Sequence, residues 1–354
     1  MSGAPAPRTN PLLLGHEPAE RTLRELFETS RLPHALLLCG PRGIGKATLA
    51  FRFARFVLAR SSTEAALLPA PKAGASLAIP EESGVFRRVA AGGHADLLTV
   101  ERAYDPKRRR MRSEIVVEDA RQIAEFLRLT PAEGGWRIVI VDGADEMNRN
   151  AANALLKIVE EPPRRVLLLV VAHSPGRLLP TIRSRCQRLS LAPLPTPIVR
   201  QLLRRYRPDL ADGEAEALAL LAEGSIGRAV ELADAGGLEL YRSLLALAAR
   251  VDPTALHALA DRLTRPNTED AYAMAADLLA QILGRAAVIG AGAGSEDAAG
   301  EGEALRQLSR RAPPARWAAL REEVTQTFSR TDDLNLDRKQ AIMGAFFAIA
   351  EAAG

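Results

Sequence analysis

Short, nearly continuous apolar runs punctuate the first half of the chain, at residues 34–39, 96–100, 137–141, 166–172 and 186–191. They are rich in Leu, Ile and Val and do not alternate with polar residues. That pattern predicts parallel strands buried on both faces. Between them, residues 17–30, 46–58, 118–129 and 150–161 carry apolar positions at helical spacing. Strand and helix in alternation predict a doubly wound α/β sheet. After Pro193 the strand pattern stops. Helices are predicted at 197–206, 212–223, 227–234, 239–250, 253–265, 269–288, 315–329 and 334–352. Two stretches interrupt the pattern. Residues 61–93, rich in Ala, Pro and Ser, read as an insertion without a core of its own. The Gly/Ala-rich residues 290–302 read as a flexible inter-helix loop.

Composition narrows the class. A chain of 354 residues is long enough for two or three domains, and 47% hydrophobic with 25% charged residues is ordinary for a globular protein. A formal net charge of +4 allows contact with nucleic acid without arguing for it. Only two cysteines occur, Cys39 and Cys186, which suggests a reducing compartment, not a disulfide scaffold. Residues 1–10 lack the apolar segment of a signal peptide. No run of about 18 apolar residues is present, so a cytoplasmic location is expected.

The first chemical motif is Gly40-Pro41-Arg42-Gly43-Ile44-Gly45-Lys46, at the end of a predicted strand and the start of a predicted helix. In such a phosphate loop the glycines let backbone N–H groups converge on phosphate oxygens, and the helix N-terminus adds partial positive charge. Gly40, Gly43, Gly45 and Lys46 are therefore candidate nucleotide-binding residues. The next position should carry the hydroxyl that binds Mg²⁺, but it is Ala47. Thr48 comes one residue later, rotated about 100° around the helix. A second acidic motif repeats the loss. The predicted strand 137–141 leads to Asp142, where a metal-binding aspartate belongs. The next position, which should hold the glutamate that polarises water, is Gly143. Asp145 and Glu146 stand two and three residues beyond the strand end, which is the wrong place for that role. Both losses point to a retired hydrolytic site.

The other feature is basic. Residues 174–191 contain Arg177, Arg183, Arg185 and Arg188, with Ser184-Arg185-Cys186 just before the last strand. Spacing alone favours a solvated basic helix end over an arginine finger, a guanidinium that stabilises a neighbour's transferring phosphoryl group. Residues 107–110 (Lys-Arg-Arg-Arg), with Arg112, likewise read as a solvated hairpin tip in preference to a DNA contact. No aromatics are interleaved for base stacking.

Taken together, residues 40–50, 141–163 and 181–189 resemble the clamp-loader family of AAA+ proteins, chiefly through the NALLKIVEEPP run and the SRC triplet. Residues 31–46 and 92–98 further resemble its bacterial DNA polymerase III branch. The resemblance covers residues 10–235. It implies a P-loop AAA+ α/β domain (1–192, with the insertion at 61–93), a small helical lid (193–236) and an all-α collar that holds a ring together (237–354). It implies that Arg185 acts in trans on the ATP of an adjoining subunit. It also places Arg228 at a lid position that senses nucleotide, although Arg228 is equally well explained as a helix cap.

The implied function is a non-hydrolysing loader subunit and not an ATPase by itself; a DNA-directed DNA polymerase label would belong to the complex. Its implied partners are gamma/tau-type ATPase and delta-type subunits, with the sliding clamp and primer-template DNA reached through the complex. No cofactor is required, and any ATP or ADP held in the degenerate site (Gly40, Gly43, Gly45, Lys46, Asp142, Arg228) is weak or structural. Relatives often carry a four-cysteine zinc module in the insertion. This chain has no cysteine there, and His94 alone cannot hold structural zinc, so no metal is expected. Ala95 replaces a proline after His94, and Ala172 or His173 replaces a hydroxyl at the first sensor. The open alternatives are an active AAA+ motor and a DNA-binding module.

Overall fold

The computed structural model describes residues 3–61, 76–105, 110–133, 135–265, 268–293 and 302–352. Contacts group these into two bodies. One holds residues up to 199 with 224–227; the other holds 200–223 and 228 onward.

The first body is an α/β sandwich. Its strands are β1 (Ala35–Cys39), β2 (Leu97–Val100), the hairpin pair β3 (Tyr104–Asp105) and β4 (Arg110–Met111), β5 (Arg137–Asp142), β6 (Val166–Ala172) and β7 (Gln187–Ser190). Its helices are α1 (Glu17–Glu28), α2 (Lys46–Ser61), α3 (Gly84–Ala90), α4 (Val117–Arg128), α5 (Arg149–Glu160) and α6 (Pro180–Arg185). Five strands form one sheet in the order β2-β5-β6-β1-β7, every pair parallel. Alternate side chains leave the sheet on opposite faces. Leu36, Leu38, Ile138, Ile140, Leu167, Leu169 and Val171 pack under α1, α2 and α3. Leu37, Val139, Val141, Leu168, Val170 and Ala172 pack against α4, α5 and α6.

Because β1, β5 and β6 are buried on both faces, their sequence is apolar throughout except for Arg137 and Asp142 at the two ends of β5. β7 departs from that expectation: it is an edge strand with Gln187, Arg188 and Ser190 exposed. A parallel arrangement gathers the carboxyl ends of the strands along one rim, where a crevice can receive a ligand. Cys39 lies level with Ala172, and Asp142 with Val171. The loops after β1, β5 and β6 therefore emerge side by side.

The insertion is partly corrected. Residues 62–75 lie outside the described residues, but the remainder contributes to the main core. Ser83 caps α3 by accepting from Phe86 N, and Leu77, Ile79, Val85, Phe86 and Val89 are buried beside α2.

The second body is helical: α7 (Thr196–Tyr206, beginning in the first body), α8 (Asp212–Leu221), α9 (Ile226–Asp234, also beginning in the first body), α10 (Gly237–Ala249), α11 (Pro253–Leu263), α12 (Glu269–Gly290), α13 (Gly302–Arg310), α14 (Pro314–Asp333) and α15 (Arg338–Ala352). Helices α10, α13 and α14 pack around α12. Trp317, Tyr241, Tyr272 and Phe346 are fully buried, with Tyr272 stacked on Phe328 at 5.1 Å. Residues 270–290 of α12 are long and apolar enough to cross a membrane by length and composition. However, Asp277 and Arg285 interrupt them, and Tyr272, Leu278, Ile282 and Leu283 are buried in the helical body. Residues 294–301, the greater part of the expected flexible loop, lie outside the described residues.

Candidate nucleotide-site remnant and arginine

β1 delivers the chain into the phosphate loop, and α2 starts at Lys46. Two loop carbonyls are engaged from outside. Gly43 O accepts from Gly227 N at 2.9 Å, and Ile44 O accepts from the buried His16 Nε2 at 2.7 Å. Gly43 has a φ of 75°, and a Cβ there would stand 2.3 Å from Ser225 Oγ. Only glycine fits this close approach. Lys46 is 3% exposed and its ammonium donates to Pro41 O at 2.5 Å. Burial pushes its pKa down to about 8, although Asp142 and Asp145 pull the other way. Ala47 follows at the start of α2, and Thr48 is buried on the next position round the helix.

Asp142 ends β5. Burial, reinforced by the negative charges of Glu101 and Glu146, pushes its pKa up to about 6 despite Lys46 and Arg42. The position beside it cannot readily take a glutamate. Gly143 has φ 75° and ψ 44°, and a Cβ would lie 2.8 Å from Glu146 Oε2. Glu146 itself pairs with Arg102 Nε at 2.8 Å. Asp145 accepts from the backbone N–H groups of His173 and Ser174 at 2.9 and 2.8 Å, fixing the turn after β6. Burial opposes its charge, but these two donors hold its carboxyl below the usual range. His173 is kept neutral. Burial, then the charges of Lys46, Arg42 and Arg102, lower its pKa to about 4.

Arg185 stands elsewhere. It ends α6, which is pinned by the buried Ile182, with the buried Cys186 just beyond it. The next residue, Gln187, pairs with Leu36 at the start of β1. The phosphate loop begins after the other end of that strand. From Leu36, level with Gln187, to the loop's first residue, Gly40, is four residues, or roughly 13 Å at about 3.3 Å each. The Arg185 side chain is 42% exposed; its Nη1 donates to Thr181 O at 3.1 Å and its Nη2 pairs with Glu160 at 3.0 Å. Arg177, Arg183 and Arg188 are exposed nearby along the chain.

Arg228, in the helical body, donates to Gln281 Oε1 at 3.2 Å. Gln281 in turn donates to Leu221 O and Glu223 Oε1 at 3.0 and 2.9 Å. His94 and Asp96 serve a structural bracket. Asp96 accepts from the N–H groups of Ala132 and Glu133 at 2.8 and 3.0 Å, and His94 Nδ1 accepts from Asp96 N at 3.2 Å. Among the described residues, no three His, Cys, Asp or Glu side chains gather as metal ligands. Residues 107–109 of the basic run lie outside the described residues, as does the Arg110 side chain. The flanking hairpin does set exposed Tyr104 opposite exposed Met111, an aromatic that the basic run itself lacks.

Sequence reasoning missed three partners: His16 against the loop, Asp145 beneath residues 173–174, and Glu160 beside Arg185. Each joins residues at least 25 positions apart by the separations 28, 28 and 25, which no local pattern encodes.

A family model described as DNA polymerase III, delta subunit, matches residues 15–195. The chain belongs to that family. This bears out the resemblance of its motifs to bacterial clamp-loader subunits, delta-prime in particular. A DNA polymerase III subunit delta' of Pseudomonas aeruginosa is 37% identical over 195 residues, 54% of this chain and 53% of that one. A DNA polymerase III subunit tau of Escherichia coli is 30% identical over 235 residues, 64% of this chain and 33% of the relative. The match thus spans about half of the first relative's length and a third of the second's. A gamma subunit-related protein from Thermotoga maritima superposes with a TM-score of 0.48 at 20% identity, covering 94% of this chain and 99% of that one.

Proposed function

We propose that this family member is a non-hydrolysing subunit of a DNA polymerase III clamp loader, which lends Arg185 to the nucleotide of an adjoining ATPase subunit. The observation that carries the proposal is position: Arg185 is exposed at the end of β1 opposite to its own phosphate loop. A guanidinium there is too far away to act in cis and is presented to whatever docks on that edge. Its chemical task is to neutralise charge on the equatorial oxygens of the transferring phosphoryl group.

The local site supports the same division of labour. Ala47 offers no hydroxyl to Mg²⁺, Gly143 offers no carboxylate to water, and Asp145 is committed to two backbone donors. Gly40, Gly43, Gly45, Lys46 and Asp142 then hold nucleotide weakly or structurally, if loaded at all, and Arg228 braces helices through Gln281. The lid is residues 193–236 and the ring-forming collar 237–354. Gamma/tau-type ATPase and delta-type subunits are the partners, with clamp and primer-template DNA engaged through the assembly in the cytoplasm. No zinc is required.

The purified chain is expected to turn over ATP at background rates with Mg²⁺ present. Turnover at the roughly 1–10³ s⁻¹ of working enzymes would contradict the proposal.

A further inference from the structure

We propose that Glu160 is the positioning residue for Arg185, holding its guanidinium in a preset orientation for an incoming phosphate; this rests on the in-trans role of Arg185 proposed above. An arginine carries several free torsions, and ordering them at the moment of reaction costs rotamer freedom. Here the ordering is done beforehand. Nη2 is paired with Glu160 Oε1 at 3.0 Å and Nη1 with Thr181 O at 3.1 Å. Each contact uses one hydrogen of its nitrogen. The Nε hydrogen and one on each Nη remain for phosphate oxygens.

Helix stability does not explain Glu160. It is the last residue of α5, followed by Glu161 and then Pro162 and Pro163, which stop the helix. A carboxylate at a helix C-terminus opposes the helix dipole, where a cation would be favoured. The proline pair ends the helix just past Glu160, and Pro162 restricts the backbone of Glu161. Glu160, Arg185, His34, Val159 and Glu161 line an open cleft, so the pair faces space that a neighbouring subunit can fill.

The strength suits a guide more than a lock. With both side chains about two-fifths exposed, at 42% and 40%, the pair shifts a rotamer equilibrium by no more than about fivefold.

The test uses a reconstituted loader and steady-state ATP turnover, with Glu160→Ala, Glu160→Gln, Arg185→Ala and the double variant Glu160→Ala/Arg185→Ala. Glu160→Ala is expected to lower kcat by about twofold to fivefold with KM unchanged, and Glu160→Gln, which keeps an acceptor, by less. In the Arg185→Ala background Glu160→Ala should cost nothing more. An equal loss in that background would mark a structural role, and an unchanged or raised kcat in the single variant would mean no positioning; either overturns the inference. If Arg185→Ala alone has no effect, the in-trans role fails first and Glu160's role falls with it.

Discussion

Gly143 disfavours the glutamate whose absence the proposed function rests on. Its left-handed backbone costs a side chain about 1–2 kcal/mol, and the space beside it is held by Glu146. Gly143→Glu is expected to lower stability by about that amount in urea denaturation without creating ATP turnover. Asp142 makes a second case. Its folded pKa of about 6 lies above the usual 3.8, so the native state binds that proton more tightly than the unfolded chain. Its contribution is fully favourable below pH 4 and is lost as pH rises through 6. Asp142→Asn should therefore stabilise the protein at pH 7 by about 1–3 kcal/mol and flatten the profile between pH 4 and 6. Asp145 has the opposite sign. Held below its usual range, it stabilises at neutral pH and loses that effect as pH falls through its folded value. Asp145→Ala, which orphans the N–H groups of His173 and Ser174, should cost about 2–3 kcal/mol at pH 7 in the same assay.

Among the elements, α2 shows what a sequence pattern conveys and what it hides. Its apolar content announces a buried helix, but Arg52 and Arg55 look out of place among Phe51, Phe53 and Phe56. Both arginines tie down the N-terminal segment. Arg52 pairs with buried Glu20 at 2.7 Å and bonds Pro11 O, while Arg55 bonds Arg8 O and Asn10 O and lies 4.5 Å over the Phe86 ring. Burial holds the Arg55 pKa down to about 10. Arg52→Ala leaves Glu20 buried and unpaired and should cost about 3–5 kcal/mol; Arg52→Leu with Glu20→Leu should cost far less. Denaturation of the three proteins separates a buried ion pair from simple packing. The central strands were legible because burial on both faces removes polar alternation. The last strand was legible too, but not its exposure as edge strand β7, and the seven-residue helix α3 was hidden in a stretch too short for a periodic pattern. The losses at Ala47 and Gly143 were legible because each sits at a fixed offset inside a motif. The Arg228–Gln281 bond, 53 residues apart, has no such offset.

For the whole molecule, membership of the DNA polymerase III delta subunit family rests on residues 15–195, and the helical body lies beyond that match. The phosphate loop and the exposed Arg185 lie at opposite ends of β1, and the proposed role in trans accounts for that separation. In that proposal the crevice at the loop end is a retired nucleotide site and the opposite edge serves a neighbour's. The most direct test of that claim is single-turnover ATP hydrolysis by a reconstituted loader carrying Arg185→Ala, with clamp loading followed in parallel. Hydrolysis at the interface facing this subunit is predicted to fall by on the order of 10³-fold or more, with clamp loading impaired. Unchanged hydrolysis and unchanged clamp loading would contradict it.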